Sequence, residues 1–160
     1  MTMSFSSEEL QRFIETNHID ATILPMNGHT PTVSDAAREL GVETDQIIKS
    51  LVFIAGDSPL LVINNGLSRV DRKKLALLMG VGRKKVKFAK AEQALDITGY
   101  VVGSMPPFGH RQRLPTLVDE AVMTLDTIYG GGGDIDAMMR LTPRELIKVT
   151  GAEVQAISEV

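Results

Sequence analysis

The chain has 160 residues, of which 43% are hydrophobic and 23% are charged, so it carries enough apolar side chain to form a core. It has no cysteine, which excludes a disulfide scaffold, a thiolate metal site and a cysteine nucleophile. A net charge of −3 and an aromatic content of 4% argue against a nucleic-acid partner, and above all against binding on a row of stacked aromatic rings.

The first third of the chain alternates between helical and strand-like patterns. The first helix is the best marked, because Ser6 and Glu9 have the spacing of a capping box. In chain order we predict a helix over 6–18, a strand over 21–26, a polar turn over 27–30, a helix capped by Thr32 or Ser34 and ended by Gly41, and a helical turn from Thr44.

A β-hairpin is predicted next. The apolar segments 49–56 and 59–64 are separated by a Gly-Asp-Ser-Pro turn. Lys49 begins the first strand and is the only lysine before position 73. A lysine there can extend its amine to solvent, or it can project a cation into a cleft, ready for a carboxyl, a phosphate or a developing oxyanion. Its placement alone does not decide between the two.

Residues 69–90 concentrate the positive charge. They contain nine basic residues and one acid, a net charge of +8, whereas the other 138 residues carry −11. We predict a helix over 70–79, with the basic side chains on one of its faces and on the following loop. Such a surface can contact phosphates on an acidic protein, because screening limits the field to about 8 to 10 Å. A solvated helix face is the alternative.

The remaining elements are short. Residues 103–115 hold two glycines and three prolines and are predicted to be irregular. Around this loop we predict a helix over 91–97, strands over 100–102, 116–119, 127–129 and 137–141, a helix opened by Thr142-Pro143, and a terminal strand over 154–157.

These elements predict a mixed α/β (α+β) fold, with helices around a curved, largely antiparallel or barrel-like sheet. We find no repeat and no linker, so we expect one domain over residues 1–160. No apolar stretch reaches the roughly 18 to 20 residues of a membrane span, and the acidic, amphipathic N-terminus is unlike a signal peptide. We therefore expect a cytoplasmic protein without a membrane partner, and a monomer, since no long heptad is present.

The residue pattern argues against several familiar sites. The three histidines, His18, His29 and His110, are scattered without zinc-motif spacing, so no metal is predicted. Residues 130–133 are four glycines without the Lys-Ser/Thr ending of a phosphate loop, and a tight turn is expected there. No G-x-S-x-G motif occurs, so Ser104 is not expected to act as a nucleophile.

The loop that begins at Gly103 is the second candidate site after Lys49. Glycine lets a ligand approach the backbone, prolines keep the loop rigid, and exposed N–H groups can bind a carbonyl or an oxyanion. A rigid connection between two strands is the alternative.

Residues from about Thr30 to Ile157 resemble the family of the YbaK protein and the editing domain associated with prolyl-tRNA synthetases, which are aminoacyl-tRNA deacylases. Lys49 stands at the position of the family's active-site lysine, and residues 103–107 match its G-x-x-x-P loop, continued by Phe108-Gly109. Ser50 and the doubled proline depart from the best-known members. The resembling segments are TVSDAARELGV, QIIKSLVF, LLVINNGLSRVDRKKLALLMG, TGYVVGSMPPFGH, TLVDEAV and IYGGGG.

The resemblance implies a trans-acting enzyme that hydrolyses the ester between a mischarged amino acid and the terminal adenosine of a tRNA, usually the tRNA for proline carrying a small amino acid. It divides the chain into an N-terminal helix and strand over 1–29 and a family-like core over 30–157. The implied partners are aminoacyl-tRNA and, beyond it, prolyl-tRNA synthetase or a translation factor. No cofactor is expected, because a positioned water and an oxyanion-stabilising environment suffice for an activated ester.

The resemblance and the residue chemistry together give three groups of predicted site residues. Lys49 contacts the ester or terminal nucleotide, and the backbone of Gly103 holds the amino-acid end. The substrate-binding residues are Ser104, Met105, Pro106, Pro107, Phe108, Gly109 and His110. The tRNA-binding residues are Arg69, Arg72, Lys73, Lys74, Arg83, Lys84 and Lys85. A ribose hydroxyl or a substrate group relays the proton, His110 is a further possible contributor, and Asp119 is structural.

Two other functions remain open on the sequence alone. A non-catalytic tRNA- or nucleotide-binding module would use the same basic segment, but it would protect an aminoacyl-tRNA from spontaneous hydrolysis. A general small-molecule ester or amide hydrolase would cleave simple esters without RNA. The amino acid removed is also open, with alanine, cysteine and serine as candidates.

Overall fold

The computed structural model describes residues 4–28, 30 and 32–159. This part of the chain forms five α-helices and eight strands, joined by short 3-10 turns. The helices are α1 (Ser7–Thr16), α2 (Val33–Leu40), α3 (Arg72–Met79), α4 (Ala91–Thr98) and α5 (Pro143–Thr150). The strands are β1 (Ala21–Pro25), β2 (Ile48–Ala55), β3 (Ser58–Asn65), β4 (Val86–Phe88), β5 (Thr116–Asp119), β6 (Ile128–Gly131), β7 (Ala137–Leu141) and β8 (Glu153–Gln155).

The strands form two sheets. The larger has the order β4-β2-β3-β5-β8, and the smaller has the order β1-β7-β6. Strand β2 pairs antiparallel with β3 and β4, and β7 with β1 and β6, whereas β5 pairs parallel with β3 and β8. The predicted mixed α/β fold on a largely antiparallel sheet is therefore confirmed. Neither sheet closes into a barrel, and an isolated bridge between Ile47 and Tyr129 links them.

Local sequence signals set most of the helix ends. Ser6 and Glu9 form the predicted capping box of α1. Thr32 caps α2 by accepting a hydrogen bond from the N–H of Asp35, and Gly41 ends that helix with a φ of 71°. Thr142 caps α5. The predicted turn over 27–30 includes His29, which lies outside the described residues.

Tertiary contacts override the sequence pattern at three places. The strand predicted over 100–102 is wrong, because the N–H of Ser104 bonds the carbonyl of Val101 in a turn. Strand β4 lies where a loop was predicted. The last strand ends at Gln155 because the carboxylate of Asp119 accepts hydrogen bonds from the N–H groups of Ile157 and Ser158, which also gives Asp119 its structural role.

Apolar side chains cover both faces of the larger sheet. On one face Ile48 and Val52 of β2 pack in a core with residues of α1, β6, β7 and α5. On the other face Phe53 of β2 packs with Leu75 and Ala76 of α3. Strand β2 is therefore central to the fold. Within the described ranges, no helix is both long and apolar enough to cross a membrane.

Candidate functional site

The first half of β2 has one unpaired edge. Strand β4 pairs only with residues 53–55, and beyond them the N–H of Ala89 bonds the carbonyl of Val52. In an antiparallel ladder alternate residues direct their N–H and C=O groups to the same side, so those of Ser50 point to the open edge. The N–H and C=O groups of Ser50, next to Lys49, therefore face this open edge.

A cavity of 330 Å³ lies along this edge, and most of its wall is apolar. Val33 and Ala36 of α2 form one side, and Met138 of β7 contributes to another. Gly103 and Met105 bring the predicted loop into contact with the cavity. The size and the apolar wall suit a small organic group.

Ser50 is the one polar side chain in the buried wall of this cavity, within the part of the chain that the structure describes, that lacks a hydrogen-bond partner. Its side chain is directed to the face of β2 that carries Ile48 and Val52, and the residue is only 9% exposed. A buried hydroxyl without a partner is costly, and a polar group of a ligand that reached Ser50 from the cavity would supply the missing hydrogen bond. Its only signal in the sequence is a departure from the family pattern.

A second depression, of 520 Å³, lies on the other side of the β2 edge and is basic. Besides Lys49, its cationic lining residues are Arg69, Arg72, Lys73 and Arg83. Two acids, Asp71 and Glu159, also border it. Three residues are shared by the depression and the apolar cavity: Lys49, Leu51 and Phe88.

Lys49 therefore stands where the apolar cavity meets the basic depression. Its directly paired neighbour on β3 is Asn64, a buried residue whose amide oxygen has no hydrogen-bond partner. Burial, and secondarily the positive charge of Arg69, lower the pKa of Lys49 below its usual value. The arrangement can present a partly desolvated cation to a group that spans both depressions.

The predicted loop contributes unequally to this site. Gly103, with a φ of 98°, and Met105 line the apolar cavity. Ser104 is fully buried, and its hydroxyl donates to the carbonyl of Val101 at 2.8 Å, so it holds the turn. The carbonyl of Ser104 accepts from the N–H of Gly133 at 3.0 Å, which fastens the loop to the end of β6.

The glycine run after Tyr129 is needed for this close approach. A Cβ on Gly131 would overlap the carbonyl oxygen of Met105 and lie 2.6 Å from its carbon. Gly132 is equally constrained, because a Cβ there would lie 2.6 Å from the carbonyl carbon of Ala137. The run therefore spans the end of β6 and the turn after it, and it sets the position of Gly103 and Met105.

The far end of the loop lies at a different, smaller cavity. Pro107, Phe108, Gly109 and His110 line this cavity of 100 Å³. The Nε2 of His110 lies 2.8 Å from the carbonyl oxygen of Pro106, so it donates a hydrogen bond there. Burial lowers the pKa of His110 to about 4, against that hydrogen bond, which raises it. The structure thus does not bring these residues to the Lys49 cavity.

The basic residues predicted to bind tRNA also divide. Arg69, Arg72, Lys73 and Arg83 line the basic depression. The amine of Lys74 instead donates to the carbonyl of Ser158 at 3.0 Å, and Lys84 and Lys85 are exposed beyond the lining. Sequence reasoning missed Phe88, although its place between Lys87 and Lys90 was visible. In residues 4–28, 30 and 32–159, no group of three or more acids and histidines could hold a metal ion.

Comparisons with known proteins show which family and which solved structure the chain is similar to. The family model of the aminoacyl-tRNA editing domain matches residues 27–149, which include Lys49, the loop and the glycine run. The uncharacterized protein YwhH of Bacillus subtilis is 29% identical over 124 residues, 77% of each chain. The proline–tRNA ligase of Ligilactobacillus salivarius is 34% identical over 88 residues, 55% of this chain and 15% of the ligase. The crystal structure of a candidate trans-editing enzyme for prolyl tRNA synthetase has a TM-score of 0.88 and 32% identity, covering 96% of this chain and 97% of that one.

Proposed function

The chain belongs to the family of aminoacyl-tRNA editing domains, and from this premise we propose that it is a trans-acting deacylase of mischarged tRNA. The proposed substrate is the tRNA for proline carrying a small amino acid, and the proposed site of action is the cytoplasm, where such tRNA is used. The similarity to prolyl-tRNA ligases and to a candidate trans-editing enzyme supports the choice of tRNA. Prolyl-tRNA synthetase would be the source of the mischarged substrate.

One observation carries the proposal: Lys49 borders an apolar cavity and a basic depression at the same time. An aminoacyl-tRNA has the same division, because a small organic group is joined by an ester to a polyanion. The amino acid fits the apolar side, the acceptor strand fits the basic side, and the ester then lies beside Lys49. Phosphate contacts with Arg and Lys supply most of the affinity in such complexes.

The apolar cavity acts as a size filter. Met105 and Met138 lie in its wall, so the side chain of the amino acid meets flexible apolar surface. A methylene that fills such a pocket is worth only about 1 to 3 kcal/mol and favours the larger ligand, so a small amino acid is selected by steric exclusion of larger ones. The hydroxyl of Ser50 adds a polar contact for the amino group or for a polar side chain.

The hydrolysis needs no covalent intermediate with the protein. A water oxygen adds to the ester carbonyl carbon, and the bond from that carbon to the ribose oxygen then breaks, which releases the free amino acid. One proton of the water reaches the leaving ribose oxygen, relayed by the neighbouring ribose hydroxyl. The ammonium of Lys49 and the backbone N–H groups at Gly103 stabilise the negative charge that develops on the carbonyl oxygen. His110 has no part in this scheme, because it lines the smaller cavity.

The test is a panel of tRNAs for proline charged with alanine, cysteine, serine or proline and incubated with the full chain. We expect release of at least one of the small amino acids well above the spontaneous rate, while prolyl-tRNA stays intact. Slower release than in buffer would show a protective binding module and would contradict the proposal. Cleavage of simple esters without RNA, at the rate seen with charged tRNA, would also contradict it.

A further inference from the structure

Phe88 is an aromatic ring placed unlike the buried phenylalanines of the core. It is the last residue of β4, which is an edge strand, and the residue is 50% exposed, whereas Phe53 is fully buried. The two rings are cross-strand partners and stack with centroids 4.4 Å apart and an interplanar angle of 30°. Phe53 therefore packs against the ring of Phe88 from the neighbouring strand and fixes its orientation.

The surroundings of Phe88 are cationic. The guanidinium carbon of Arg72 lies 5.7 Å from the ring centroid, a cation–π distance. Lys87 precedes the ring in the chain, and Lys90 follows two residues later, both exposed. Phe88 also borders both the apolar cavity and the basic depression, as Lys49 does. The ring thus lies beside the position that the proposed function gives to the ester, on the side where the nucleic acid enters.

We infer that Phe88 is a stacking platform for the terminal nucleobase at the 3′ end of the bound RNA. This inference rests on the proposed function, which places the ester beside Lys49. The terminal nucleoside is bonded directly to the ester oxygen, so its base must lie within one nucleoside length of Lys49. Phe88 is the half-exposed aromatic residue that shares both depressions with Lys49, and every base offers a π-face to such a ring.

Contact with Phe53 does not by itself require an aromatic ring at position 88. Contact with Phe53 needs only one apolar face, and a leucine at position 88 would supply it. A half-exposed phenylalanine instead leaves apolar surface in water, and that surface gains most when a flat partner covers it. Arg72 is placed to contact the phosphate of the same nucleotide, since it lines the basic depression.

The test uses an uncharged RNA acceptor-stem hairpin whose 3′-terminal adenine is replaced by 2-aminopurine, a base whose fluorescence falls when it stacks. We expect binding to the wild-type chain to quench the signal. Phe88→Leu should abolish the quenching and weaken binding about tenfold, whereas Phe88→Trp should retain both. Leu77→Ala is the matched control, because Leu77 is 83% exposed on α3 and borders neither depression.

A second RNA, identical but without the terminal base, keeps the test decisive if Phe88→Leu does not fold. The wild-type chain should bind the abasic RNA about tenfold more weakly than the intact one. Equal binding of the two RNAs, or full quenching by a folded Phe88→Leu variant, would overturn the inference. Neither RNA carries an amino acid, so the binding test does not depend on deacylation. A chain that quenches the 2-aminopurine fluorescence but releases no amino acid from charged tRNA contradicts only the proposed deacylase. A chain that releases amino acid but gives no quenching contradicts only the role of Phe88.

Discussion

The two depressions on either side of the β2 edge differ in chemistry although they share Lys49, Leu51 and Phe88. The apolar cavity is bordered by α2, the loop at Gly103 and Gly131 of the glycine run, and its wall includes Ser50, whose hydroxyl has no partner. The basic depression is formed by the segment that carries most of the positive charge. The difference indicates that one side selects a small group and the other holds a polyanion, so changes on one side should leave the other intact.

The largest effect on stability should come from Gly131→Ala, because the added Cβ must push the loop away from β6. The added Cβ would overlap the carbonyl of Met105, so we expect the free energy of unfolding to fall by about 3 kcal/mol. At temperatures where the variant is folded, Gly103 and Met105 must shift and deacylation must fall, while RNA binding persists. Urea unfolding and single-turnover assays measure the two effects.

The control for this change is Gly82→Ala, because a Cβ there meets nothing within 4 Å and the residue has an ordinary φ of −69°. Equal stability of the two alanine variants would contradict the close approach of the loop to β6.

The next effect should be on RNA binding at the basic depression. Reversing Arg69, Lys73 and Arg83 to glutamate removes three cations from the depression, and we expect RNA affinity to fall about a hundredfold near physiological salt. For every phosphate that no longer meets a cation, the slope of log K against log salt should become shallower by about 0.7 to 0.9. Binding of an uncharged acceptor-stem RNA at several salt concentrations gives both numbers.

A matched triple change reverses the exposed cations Arg140, Arg144 and Lys148, which lie on β7 and α5 outside the depression. The net charge of the two variants is the same. If RNA affinity and the slope of log K against log salt fall equally in both variants, the RNA responds to overall charge. The assignment of RNA binding to the basic depression is then wrong.

A smaller effect should separate the His110 cavity from both depressions. The pKa of His110 is lowered to about 4 in the folded state, so between pH 6.5 and 4 the unfolded chain binds more protons. The free energy of unfolding therefore decreases as the pH is lowered through this range. Lowering the pH from 7 to 4.5 should reduce the contribution of His110 to the free energy of unfolding by about 2 kcal/mol. His110→Gln lacks that titration, so its free energy of unfolding should fall less over the same range.

Carboxylates titrate in this range in both proteins, so the difference between the two curves is the readout. Parallel curves would show that His110 is solvated in the folded chain. A large loss of deacylation at pH 7 in His110→Gln would instead connect its cavity to Lys49.

The smallest effect should come from Ser50→Ala, with opposite signs for stability and activity. Removing a buried hydroxyl that lacks a partner should raise the free energy of unfolding by about 1 kcal/mol. Without its hydrogen bond to the substrate, kcat/KM for charged tRNA should fall by about fivefold. Ser58→Ala, at an exposed position on β3, should change neither quantity. A Ser50→Ala variant with unaltered kcat/KM would leave the hydroxyl without a part in substrate binding.

Much of the fold was accessible from the sequence because its signals are local. The capping box at Ser6, the hairpin after Lys49 and the cap at Thr142 each depend on a few adjacent residues. The strand predicted over 100–102 failed for the opposite reason. Its apolar residues suit a strand, but the N–H and the hydroxyl of Ser104 both donate to the carbonyl of Val101, so the backbone turns there.

The site was accessible in part. Lys49 and Gly103 could be identified from motif positions, and the structure places both at one cavity. The division of the loop between the Lys49 cavity and the His110 cavity could not be foreseen, because it depends on how closely Met105 approaches Gly131. Nor could the role of Lys74 be foreseen, since its amine is held by a carbonyl 84 positions away. Phe88 was overlooked because a low aromatic content says nothing about where one ring lies.

The central claim is that Lys49 acts where the two depressions meet, and single-turnover deacylation of mischarged tRNA by Lys49→Ala tests it most directly. Loss of a charge-stabilising donor in a catalytic site lowers the rate by about 100- to 1000-fold. We therefore predict a fall of that size in the Lys49→Ala variant, with an unchanged circular dichroism spectrum, and an ordinary rate in Lys148→Ala. A Lys49→Ala variant that releases the amino acid at the wild-type rate would contradict the account.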